Sequence, residues 1–252
     1  TDTGNWAAQV SGGGFDRAVT LRARTGDLAL GQDIKAQRIN VSADSGKLTL
    51  GAKLDAASPS GGVVRLAASG DLELSANARI DARSQRIGAN GGDVLLASSS
   101  GRVRLAPAAG VDTRGDDAQD GRIVLRALRG ANNTSVNVDA LNTAALQGAE
   151  VDIEAVRVYS TVTSAGVTRD ITSIASGNNV GSTGTLGQTD VRTDSAAFMN
   201  AKAGILTALG VAPAETVADG TVHGQVSSGA QGQESGITTG TCLLYTSDAA
   251  DE

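Results

Sequence analysis

Residues 64–82 read VRLAASGDLELSANARIDA. Val64, Leu66 and Ala68 alternate with Arg65 and Ala67, the period-two pattern of a strand with one apolar face. Gly70 then supplies the backbone freedom a tight corner needs. Leu72 and Leu74 form a second alternation around Glu73, and a third short strand closes the unit at Ile80.

The unit repeats. Residues 19–36 (VTLRARTGDLALGQDIKA), 39–56 (INVSADSGKLTLGAKLDA) and 94–113 (VLLASSSGRVRLAPAAGVDT) carry the same three strands and the same corner glycine, at Gly26, Gly46 and Gly101. A fifth unit opens with RIVLRA at Arg122. The spacers vary in length: ASPSGG at 57–62, RSQRIGANGG at 83–92, RGDDAQDG at 114–121. Constant strands with variable spacers at one point per unit are the signature of a solenoid. The predicted fold is all-β, a right-handed parallel β-helix whose coils bury one another's apolar faces. Its less regular C-terminal part is expected to contain one short α-helix.

Composition agrees. Aromatic residues are 2% of the 252-residue chain and apolar residues 40%, with 33 glycines and three prolines. A core of Val, Leu, Ile and Ala suits a narrow repetitive lumen better than a wide globular centre. The formal charge is −6, and −3 over residues 1–241, with both signs interspersed. No basic patch points to nucleic acid. No apolar run approaches membrane-spanning length. Before Cys242 there is no cysteine, hence no disulfide framework or thiolate metal site there.

Residues 1–130 read as shaft coils and 131–193 as an irregular strand-rich extension with a loop, its strands reaching about Thr163. Residues 194–210 (DSAAFMNAKAGILTALG) read as an amphipathic helix. Asp194 or Ser195 caps its start, Phe198, Ile205, Leu206 and Leu209 share one face, and Gly210 stops it. Residues 211–241 are weakly patterned or resumed coil, with a strand expected at Thr221–Val226.

The G-D-L-x-L turn-strand units and x-I-D-A endings across 19–130 resemble the shaft coils of filamentous-haemagglutinin-like large exoproteins. VNVDALNTAALQGAEVDIEAVRVY, followed by FMNAKAGILTALG, resembles a block that a subset of these proteins carries after the repeats. The resemblance implies two-partner secretion: an outer-membrane transporter barrel threads the unfolded chain, which folds outside a Gram-negative cell. It also implies a role in adhesion or biofilm structure, with host-cell or matrix receptors or other bacterial surfaces as partners. The chain reads as an internal piece of such a protein.

Chemistry-bearing motifs are few, and no enzyme activity, cofactor or metal is expected. His223, in TVHGQV, is the only histidine, which excludes a histidine cluster. GSTGTLG at 181–187 has the wrong glycine spacing for a dinucleotide fingerprint. RGDDAQDG contains Arg114, Gly115 and Asp116, a tripeptide that engages integrins when a tight loop presents it. Its carboxylates Asp116, Asp117 and Asp120 are the types that ligate calcium, but they lack the repeat context of calcium-binding β-rolls. Asp55, Asp81 and Asp112 form a ladder at the coil ends, read as a turn-capping feature. The alternative function is a carbohydrate-active β-helix enzyme, lyase or hydrolase. It would need convergent acids and aromatic platforms, against which stand only Trp6, Phe15, Tyr159 and Phe198 before the tail.

The tail, CLLYTSDAADE at 242–252, has a different texture. TGT CTC TTA TAC ACA TCT encodes its first six residues, and that DNA resembles a transposon-library sequencing adapter. Residues 242–252 are therefore read as non-biological, and Cys242 as no site.

Overall fold

The computed structural model describes residues 16–130, 135–139, 146–148 and 150–156. The helix expected at 194–210, the strand expected at Thr221–Val226, His223 and the tail lie outside these residues.

The described chain is a parallel β-helix of sixteen strands in three parallel sheets. The first sheet stacks β1 (Ala18–Ala23), β4 (Arg38–Ala43), β7 (Val63–Ala68), β10 (Asp93–Ser98), β13 (Arg122–Leu128) and β16 (Glu150–Val156). The second stacks β2 (Leu28–Leu30), β5 (Leu48–Leu50), β8 (Leu72–Leu74), β11 (Val103–Leu105) and β14 (Val138–Asp139). The third stacks β3 (Ile34–Lys35), β6 (Lys53–Asp55), β9 (Arg79–Asp81), β12 (Gly110–Asp112) and β15 (Leu146–Gln147). Five coils are complete and β16 opens a sixth. The stack therefore continues past Gly130 in the same three-sheet order.

Every sheet pairs strands in register with their equivalents one coil away. Val19 lies beside Ile39, then Val64, Val94 and Ile123. Leu28, Leu48, Leu72, Val103 and Val138 form a second interior column, and Ile34, Leu54, Ile80, Val111 and Leu146 a third. Leu48, Leu50, Leu54, Leu66, Leu72, Leu74 and Leu96 are fully buried in this lumen. Burying such a side chain contributes about 1.5–3 kcal/mol. Ser98 and Thr113 enter the lumen with their hydroxyls hydrogen-bonded. Ser98 Oγ donates to the Gly70 carbonyl at 2.8 Å and accepts from the Gly101 amide at 2.9 Å. Thr113 Oγ1 donates to the Gln147 carbonyl at 3.2 Å.

The three spacers all fall at one corner, between the third sheet and the first. Gly62, Gly92 and Gly121 sit there one above another, each just before a strand of the first sheet. A Cβ at Gly92 would fall on the Gly62 and Ala82 carbonyl oxygens, and one at Gly121 on the Gly92 carbonyl. That crowding explains the Gly-Gly pairs that end two of the spacers. At the opposite extreme, a Cβ at Gly31 meets nothing within 4 Å. Gly92→Ala should therefore destabilise the chain by about 1–3 kcal/mol, the range for overpacking. Gly31→Ala should be near neutral, and paired thermal melts check the contrast.

Candidate functional surface: a corner of stacked loops and charge ladders

The coil-end carboxylates predicted as turn caps take that role. Asp55 Oδ1 accepts from the Ala57 amide at 3.3 Å, Asp81 Oδ1 from the Arg83 amide at 3.3 Å, and Asp112 Oδ1 from the Arg114 amide at 3.2 Å. Each carboxylate thus turns the chain out of the third sheet through its own residue two positions on.

The same three carboxylates also hold a continuous ion-pair ladder that runs along the stack. Lys53 Nζ lies 3.3 Å from Asp55 and 3.7 Å from Asp81. Arg83 grips Asp81 with two bonds of 2.9 and 2.8 Å and lies 3.4 Å from Asp112. Arg114 grips Asp112 in the same forked way at 3.0 and 2.7 Å. Acids and bases alternate from Asp55 to Arg114, so no carboxylate faces another without a cation between them. The Arg83 guanidinium holds the Asp81 carboxyl below the usual carboxylate range, against a smaller opposing effect of burial. Asp112 in turn holds Arg114 charged more firmly than a free arginine.

Arg83 and Arg114 were legible as a D-x-R repeat, in IDAR at 80–83 and VDTR at 111–114.

Other outward charges, scattered in the linear sequence, pair across coils as well. Lys47 meets Glu73 at 2.5 Å, and Arg22 meets Asp44 at 2.7 Å. Arg102 and Arg104 converge on Asp139, each at 3.0 Å. Arg122 meets Asp152, and Arg126 meets Glu154. Beside the corner glycines, Asp27, Lys47, Asp71 and Arg102 alternate in sign up one column. Asp27 Oδ1 accepts from the Lys47 amide at 2.8 Å, and Asp71 Oδ1 from the Arg102 amide at 2.9 Å.

The tripeptide Arg114-Gly115-Asp116 lies in the spacer at this corner, folded against the spacer before it. Ala89 and Asp116 form an antiparallel bridge. The Asp116 amide donates to the Ala89 carbonyl at 3.2 Å, and the Gly88 amide to the Asp116 carbonyl at 2.6 Å. The Gly115 amide donates to Asp120 Oδ1 at 2.9 Å. The guanidinium of Arg114 is committed to Asp112, so the tripeptide is not a free loop tip. Asp117 follows it with a left-handed φ of 52°. Among the described residues, no group of three or more His, Cys, Asp or Glu is arranged to hold a metal ion.

Two depressions mark the outer faces among the described residues. One, of about 420 Å³ over the third sheet, is lined by Lys53, Arg79, Asp81, Gly110 and Asp112. Its cations are engaged: Lys53 by Asp55 and Asp81, and Arg79 by the Ala76 and Ala78 carbonyls at 3.0 and 2.7 Å. The other, of about 400 Å³, lies over the first sheet around Arg65, Leu95 and Val124.

Asp81→Asn should remove the two Arg83 bonds and cost about 1.5–3 kcal/mol at pH 7, the range for hydrogen bonds to charged groups. The folded-state pKa of Asp81 is depressed, so its contribution is full above its unfolded value of about 3.9 and fades as pH falls through the folded value. Melting curves of the parent and Asp81→Asn should therefore differ at pH 7 and converge toward pH 2.

No family model, curated protein or solved structure matches this chain.

Proposed function

We propose that the chain is a structural shaft segment of a secreted bacterial surface adhesin of the filamentous-haemagglutinin type, acting in adhesion or biofilm formation. The observation that carries this reading is the coil-to-coil registry of outward charge. The paired ladders spend the ionic groups on their neighbours along the stack, which suits a rod acting through length and surface. The resemblance of the G-D-L-x-L units supplies the family.

The architecture also suits the export route implied by that family. Each described strand pairs only with its equivalents in adjacent coils, 20 to 35 residues away in sequence. A chain emerging unfolded from an outer-membrane transporter barrel can then add one coil at a time to a growing stack. Apart from the tail's Cys242, it needs no disulfide chemistry to do so.

The carbohydrate-active alternative draws on one feature, the row of Asp55, Asp81 and Asp112 on one face. Glycoside hydrolysis requires one carboxyl with a raised pKa as general acid. Asp81, at the centre of the row, is shifted the opposite way by Arg83.

Display of the chain on a non-adherent bacterium tests the reading. Attachment to matrix-coated or abiotic surfaces should rise several-fold over cells displaying an unrelated β-helix. Unchanged attachment, with cleavage of an acidic polysaccharide by the purified chain, would favour the enzyme instead. In the same assay Asp116→Ala isolates the tripeptide: retained attachment removes Arg114-Gly115-Asp116 as the receptor contact, and lost attachment establishes it.

A further inference from the structure

The outer face of the first sheet departs from the rest of the surface. Its central outward column runs Thr20, Asn40, Arg65, Leu95, Val124, Asp152. The first four are exposed or half-buried, as outward positions of a coil should be. Val124 is only 8% exposed and Asp152 only 2%, values that belong to the lumen. No described strand packs on this face. The depression beside them is lined by Val63, Leu95 and Val124 together with the charged Arg65, Asp93 and Arg122. Arg65 is exposed and forms no ion pair among the described residues.

We propose that this face, over the fourth to sixth coils, is the docking surface for residues 194–210 of the same chain, whose apolar stripe would lie over Leu95 and Val124. Three observations select this occupant. The segment has an apolar stripe at helical spacing, Phe198, Ile205, Leu206 and Leu209, with Asp194 and Lys202 as its only charges. A single helix of that length is marginal in water and needs a surface to bury its stripe. The tether fits: β16 ends at Val156 on this same sheet, and the 37 residues at 157–193 follow before Asp194. At about 3.3 Å per residue, 37 residues can reach on the order of 120 Å. The six strands of the sheet, spaced by about 4.8 Å, extend only about 24 Å. Asp190 and Asp194 precede the stripe, and Arg65 lies at the depression with no ion pair among the described residues, as does Asp93.

Thiol labelling of the full chain tests the docking, with Cys242→Ser as the background and Val124→Cys or Thr20→Cys as the single probe. Cys at 124 should react about tenfold or more slowly than Cys at 20, at every protein concentration, because labelling there requires the face to open. Ile205→Asp with Leu206→Asp should bring the two rates together while Cys at 20 keeps its rate. A second variant, Val124→Cys with Leu206→Cys, should form an intrachain disulfide. Protection of Cys at 124 that survives the double aspartate substitution would overturn the proposal, since coil side chains alone would then bury the site. Protection lost on dilution, with disulfides only between chains, would overturn it in favour of a second copy.

Discussion

The structure depends on one constraint: backbone hydrogen bonds join each coil to the next at about 4.8 Å, in register, on three sides. A residue therefore has the same two neighbours above and below, whatever its side chain. For apolar positions this repetition is favourable, and columns of Leu and Ile fill the lumen. For charged positions it is a threat, because like charges directly opposite destabilise a sheet. The ladder from Asp55 to Arg114 and the alternation of Asp27, Lys47, Asp71 and Arg102 answer that threat. The glycine column at 62, 92 and 121 answers a steric version of it, where three successive chains enter one sheet too close for a Cβ.

Much of this was legible in the sequence because it follows from short-range periodicity. Alternating Leu28/Leu30, Leu48/Leu50 and Leu72/Leu74 with a glycine before each pair require only a strand and a corner to explain them. The Asp caps at 55, 81 and 112 were legible for the same reason, since an Asx turn is local. The contacts between spacers were not. The Ala89–Asp116 bridge joins loops of different length and composition, and no period marks it. Nor does pattern reveal that Val124 is buried, because its place in the alternation assigns it to the outside.

The pairing of outward charge bears on how such a shaft behaves in its surroundings. Pairs such as Arg102–Asp139 and Arg22–Asp44 are partly exposed and individually worth little. Their collective effect among the described residues is to compensate charge along the ladders, while Arg24, Lys35, Arg38 and Arg86 stand outside them. Association with other surfaces then rests on shape, on displayed loops and on local exceptions such as Arg65, rather than on bulk electrostatic attraction.

The spacer corner has a consequence for variation. At the other corners the chain length also changes, from 69–71 to 129–137 between the first and second sheets, and the strands that follow stay in register. At this corner, insertions at 57–62, 83–92 and 114–121 leave the registry of the strands that follow intact. The fold has, in effect, a margin on which new text can be written without disturbing the page. Peptides grafted between Arg114 and Gly121 would vary what the rod displays while its hydrogen-bond frame stays the same.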